Sequence, residues 1–91
     1  MLDVEIITTL RSMARHKISV LEMVKEIQDR LNLDPDSRLV VISYFQESFC
    51  LSLRNAIHIV RWRGLGGTLD ADEINKIMVR YIDESKVEWD G

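Results

Sequence analysis

An all-α fold, a compact bundle of about five short helices in a single domain over residues 1–91, follows from three features of the sequence. Apolar residues recur at three- and four-residue spacing in successive segments, and helix-start signatures precede several of them. Three of the four glycines fall together between residues 64 and 67, so one main loop interrupts the pattern. A chain of 91 residues is too short to divide into two adequate cores, and 46% hydrophobic against 30% charged residues is the balance of a globular protein.

The first helix is predicted near Leu2 to Arg15, where Ile6, Leu10, Met13 and Ala14 form an amphipathic stripe beside Arg11 and Arg15. Ser19 and Glu22 form an S-x-x-E capping box for the second helix, with Ile18 and Met23 as its hydrophobic staple. Val20, Val24, Ile27 and Leu31 then repeat on one face, and Asn32 is the expected stop. Asp34 followed by Pro35 reads as an N-cap with proline in the first turn of a third helix. The β-branched and aromatic residues from Leu39 to Phe45 would equally suit a buried strand. The preceding cap and the spacing of Leu39, Ile42, Phe45 and Phe49 favour a central, largely buried helix. Ser52 is the expected cap of a short fourth helix lined by Leu53, Ala56, Ile57 and Val60, with Arg54, His58 and Arg61 on its other side. After the glycine loop, Asp70 and Glu73 repeat the capping box with Leu69 and Ile74 as the staple. Ile74, Ile77, Met78 and Tyr81 carry a fifth helix to about Glu84, leaving Trp89 in a loose tail.

Charge and cysteine content bound the function. Residues 1–49 carry 6 basic and 8 acidic side chains, residues 50–63 carry 3 and 0, and residues 64–91 carry 3 and 7. Acidic ends around a short basic patch disfavour nucleic acid and favour a basic partner. A lone Cys50 permits no intramolecular disulfide, which fits a reducing cytoplasm, and the acids at Asp3 and Glu5 do not suit a secretory n-region. The longest aliphatic run, Leu39 to Ile42, is far short of a membrane span, so no membrane association is expected.

Candidate chemistry gives way to simpler readings. His16 and His58 share no metal-ligand spacing, and Cys50 between Phe49 and Leu51 reads as a small buried hydrophobe. Asp70, Asp72 and Glu73 lack the ligand and glycine that a calcium loop needs at its fifth and sixth positions. The glycines fit neither G-x-G-x-x-G nor a phosphate loop. No catalytic residue, metal or cofactor is assigned, and the protein is expected to bind rather than catalyse. Trp62 between Arg61 and Arg63 offers residue types enriched at interface hot spots, although a buried tryptophan with solvated arginines explains the same three residues as well.

The run from Tyr44 to Ala56 (YFQESFCLSLRNA) resembles small bacterial immunity proteins of contact-dependent growth-inhibition systems. Trp62, the glycine loop, Leu69-Asp70 and the helix after them continue the likeness, which covers about the second half of the chain. The resemblance implies a cytoplasmic, non-enzymatic protein that blocks a cognate toxin, commonly a nuclease. Its expected partner-binding residues are Trp62, Arg61, Arg63, Asp70, Asp72, Glu73, Asp83 and Glu84. The alternative is a small helical regulator that binds DNA through Arg54, Arg61 and Arg63, or binds another regulatory protein. Whether the chain self-associates is left open.

Overall fold

The computed structural model describes residues 2–34 and 37–90, and the described chain is helical with its elements packed around one apolar core. Four helices of three to four turns, α1 (Val4–Arg15), α2 (Val20–Leu31), α3 (Arg38–Phe49) and α5 (Ala71–Glu84), supply most of that core. Between α3 and α5, the four-residue α4 (Leu53–Ala56) runs on as a 3-10 segment, Ile57–Arg61, and a further 3-10 turn spans Arg63–Leu65. A last short helix, α6 (Lys86–Trp89), follows α5 after Ser85. No helix among the described residues is long and apolar enough to cross a membrane.

Side-chain caps set most boundaries. Asp3 accepts the Glu5 amide at 2.9 Å, so α1 starts two residues later than Leu2. Ser19 and Ser52 accept the amides of Glu22 and Asn55, and Asn32 ends α2 in the left-handed conformation, as its sequence position predicts. The expected cap on Asp34 is not the one that forms. The helix starts at Arg38 after Ser37, and the Asp34 carbonyl accepts from both the amide and the hydroxyl of Ser37. Pro35 lies outside the described residues.

The α3 helix occupies the centre, in contact with α1, α2, α4, the 3-10 segment and α6. Val41, Ile42, Tyr44, Phe45, Ser48 and Phe49 are buried, a broad face of nearly half the helix circumference, while Leu39 and Glu47 on the opposite side are exposed. Leu39 is the exception to the predicted stripe, being 79% exposed. At about 100° per residue it stands roughly opposite Val41, which takes the inward position. The last four carbonyls of a helix have no partner within it. In α3 the Gln46 carbonyl is met locally by the amides of Cys50 and Leu51, and the other three from distant segments: Arg11 of α1 reaches Glu47 and Ser48, and the Ser85 hydroxyl donates to Phe49 at 2.7 Å.

Two expectations for the chain's second half are corrected. Trp89 is not in a loose tail: it is 6% exposed, stands edge-on to Phe49 at 5.1 Å, and donates its indole N–H to the Ile82 carbonyl at 3.0 Å. Cys50 is exposed rather than buried, because it ends α3 with φ at 52° and its side chain is turned away from the core. The change to 3-10 winding after Ala56 also rephases the fourth segment. Ala56 and Ile59 are buried at three-residue spacing, while Leu53 and Ile57 are 57% and 44% exposed.

Candidate partner-binding surface

The glycine loop is a backbone knot closed on Trp62. Its carbonyl accepts the amides of Leu65 and Gly67, both at 2.9 Å, while the Arg63 amide donates to Leu69 and the Leu69 amide to Arg61. Leu65 is buried and pins the knot to the core. A Cβ at Gly64 would lie 2.5 Å from the Trp62 ring, and one at Gly67 would lie 2.1 Å from the Arg61 carbonyl oxygen. Those approaches require glycine. Trp62 therefore lies flat over Gly64, half-buried and packed against the core, with Arg61 and Arg63 exposed on either side.

The same backbone leads directly into α5. Asp70 accepts the Glu73 amide at 2.9 Å and the Glu73 carboxylate accepts the Asp70 amide, completing the predicted capping box. Leu69 packs on the core beside buried Ile74. Backbone bonds from Arg61 and Arg63 to Leu69 thus hold Arg61, Trp62 and Arg63 beside the start of α5, where Asp70, Asp72 and Glu73 stand. The first-turn carboxylates of Asp72 and Glu73 sit where the helix dipole favours negative charge.

Asp83 and Glu84 follow Asp72 and Glu73 on the same helix flanks, about 16 Å along α5. All four are exposed. They do not form an unbroken acidic face, however, because Lys76 and Arg80 fall between them on the solvent side and Arg80 pairs with Glu84 at 3.2 Å. The outer face of α5 carries carboxylates at both ends and cations between. A basic partner would engage it at two points rather than along a stripe.

The Arg54, His58 and Arg61 side is only partly available. His58 stacks on Tyr81 of α5 with ring centroids 5.4 Å apart, and its Nδ1 is 3.2 Å from an Arg61 guanidinium nitrogen. That histidine joins the 3-10 segment to α5. Among the described residues no cluster of three or more His, Cys, Asp or Glu side chains is arranged to hold a metal ion.

One feature had no clear sequence signal. A cavity of about 180 Å³ opens between the α1–α2 turn and α5, walled by Ile18, Met23, Val79 and Ile82 and rimmed by Lys17 and Asp83. At its edge Asn75 accepts the Val20 amide at 2.8 Å, so α5 caps the start of α2 across 55 residues of sequence. The staple pair Ile18 and Met23 was legible, but the cavity they share with α5 depends on a helix packing that no local pattern encodes. No protein-family model matches this chain, and no curated protein or solved structure does either.

Proposed function

We propose that this protein is a small bacterial immunity protein that binds a cognate toxin in the cytoplasm, a basic nuclease domain, and neutralises it by covering its active or substrate-binding surface. The observation that carries the reading is the fusion of the knot to the α5 capping box. It fixes two exposed arginines, a half-buried tryptophan and three carboxylates on one backbone-braced surface. Such a surface is ordered before it meets a partner, so little side-chain and loop freedom is lost on binding. Tryptophan and arginine supply the residue types that dominate interface energies, and the carboxylates set encounter rate and partner choice. At the second acidic point, Asp83 rims an apolar cavity of a size suited to a side chain from the partner. In this reading the protein acts by occlusion and has no turnover of its own.

The test is capture of tagged protein from native lysate supplemented with the product of the adjacent upstream gene, with and without nuclease treatment. Recovery of one nuclease-resistant protein supports the proposal; recovery of nucleic acid alone overturns it in favour of the regulator. With the partner in hand, Trp62→Ala is expected to weaken binding by about 2 kcal/mol or more, and a loss below about 0.5 kcal/mol removes Trp62 from the interface. Asp72→Lys with Glu73→Lys is expected to slow association at low salt, and an unchanged on-rate refutes the acidic contribution.

A further inference from the structure

The α1 helix ends in a motif that lacks its usual residue. The Ile18 amide donates to the Met13 carbonyl at 2.9 Å and the Lys17 amide to that of Ala14 at 3.1 Å, the paired bonds that close a helix through a left-handed residue. Glycine suits that conformation best, yet Lys17 holds it, with φ at 60°. This strained turn stands over the cavity between α1, α2 and α5: Ile18 is one of its apolar walls and Lys17 lies on its rim.

The α5 helix supplies the opposite side. Asn75, Val79 and Asp83 follow at four-residue spacing on one helix face, with Ile82 beside them. The Asn75 oxygen is occupied by the Val20 amide, which leaves the side-chain nitrogen as a donor. Lys17 and Asp83 pair neither with each other nor with any other described residue. The cavity therefore combines an apolar interior with one cation, one anion and an amide donor at its edge. A cavity of about 150 Å³ accepts benzene, so one of about 180 Å³ admits an apolar group of roughly six or seven carbons.

We infer that this cavity binds a free amino acid with an aromatic or large aliphatic side chain. The side chain fills the apolar interior, the ammonium meets Asp83 and the carboxylate meets Lys17. A purely apolar ligand would leave both rim charges unused, and a lone amine or acid would set a like charge beside Lys17 or Asp83. The cavity is the one given to a partner's side chain in the toxin reading, and the two occupants exclude one another. The inference itself needs only the isolated protein, so either can fail without the other.

The test is titration of isotope-labelled protein with L-phenylalanine, followed by NMR. Saturable shifts are expected at Ile18, Asn75 and Val79, with a Kd of about 1 mM or tighter. Phenethylamine lacks the carboxylate and hydrocinnamate lacks the ammonium, and each is expected to bind at least about tenfold more weakly. Lys17→Asn removes the cation with a residue that accepts the left-handed turn, and should abolish the advantage of phenylalanine over phenethylamine. Asp83→Asn should abolish its advantage over hydrocinnamate. Both positions are exposed, so far-UV circular dichroism should show the fold intact. Absent or unsaturable shifts at the cavity, comparison ligands that bind as tightly as phenylalanine, or variants that keep its full affinity would each overturn the inference.

Discussion

Replacing Trp89 by alanine tests the docking of α6 most directly. The side chain is 94% removed from solvent (100% less its 6% exposure). A tryptophan buries about 150–250 Å², which at roughly 25 cal/mol per Å² is worth about 4–6 kcal/mol. Compact unfolded states already hide part of that surface, so about 3–5 kcal/mol is the expected loss, including the indole bond to Ile82. A domain of 91 residues is stable by about 5–14 kcal/mol, so the variant should lose about a fifth or more of its stability. Urea unfolding followed by far-UV circular dichroism reads this without relying on the lost fluorophore. Trp89→Phe separates the parts: it keeps a ring against Phe49 but leaves the Ile82 carbonyl without its indole donor, for about 1 kcal/mol. Val87→Ala, in the same helix but exposed, should stay within about 0.5 kcal/mol. A loss below about 1 kcal/mol for Trp89→Ala would refute the reasoning, since a tryptophan seated on Phe49 cannot be removed so cheaply.

Two further substitutions address the knot and the joint between α2 and α5. Gly67→Ala places a methyl 2.1 Å from the Arg61 carbonyl carbon's oxygen, a clash with backbone that no rotamer relieves; a loss of at least about 2 kcal/mol is expected in chemical denaturation, against little or none if the loop is loose. Asn75→Ala leaves the Val20 amide without its acceptor and should cost about 1–3 kcal/mol, with faster amide hydrogen exchange at Val20; unchanged exchange there would show that the α5 cap does not protect α2.

The elements that could be read from sequence are those whose boundaries are local. Ser19, Ser52 and Asp70 cap helices because a short polar side chain reaches an amide two or three residues on, and that chemistry is written in adjacent positions. The same locality explains Asn32, which tolerates the left-handed conformation that closes α2. The misreadings share a different cause. Leu39 and Trp89 exchange their expected exposures because burial depends on which segments arrive from elsewhere: nothing packs over the outer side of α3 at Leu39, while Trp89 meets Phe49 forty residues back. A single aromatic among Lys86, Glu88 and Asp90 carries no periodicity to signal a helix. Ile57 was placed by a 3.6-residue period that the 3-10 winding starting there abandons, and Leu53 opens α4 on the side opposite the core.

The candidate surface was legible to the same degree. The residues of the knot and capping box are close in sequence and do come together, whereas the continuity of an acidic α5 face failed on Lys76 and Arg80, both visible in the sequence but placed only by the helix phase. Sequence spacing could likewise name Ile18 and Met23 as a staple but not Val79 and Ile82 as the opposite wall of a cavity.

The carbonyls at the end of α3 have a consequence for how the chain is made. Arg11 is synthesised before α3, but Ser85 follows Phe49 by 36 residues, and the Trp89 ring that packs there comes later still. During translation at about 5–20 residues per second, the central helix spends several seconds with its final turn unsealed and Phe49 without its edge-on neighbour. The chain up to α4 therefore lacks the groups that cover Phe49 in the finished fold, and the end of α3 is completed only after α5 and α6 have been made.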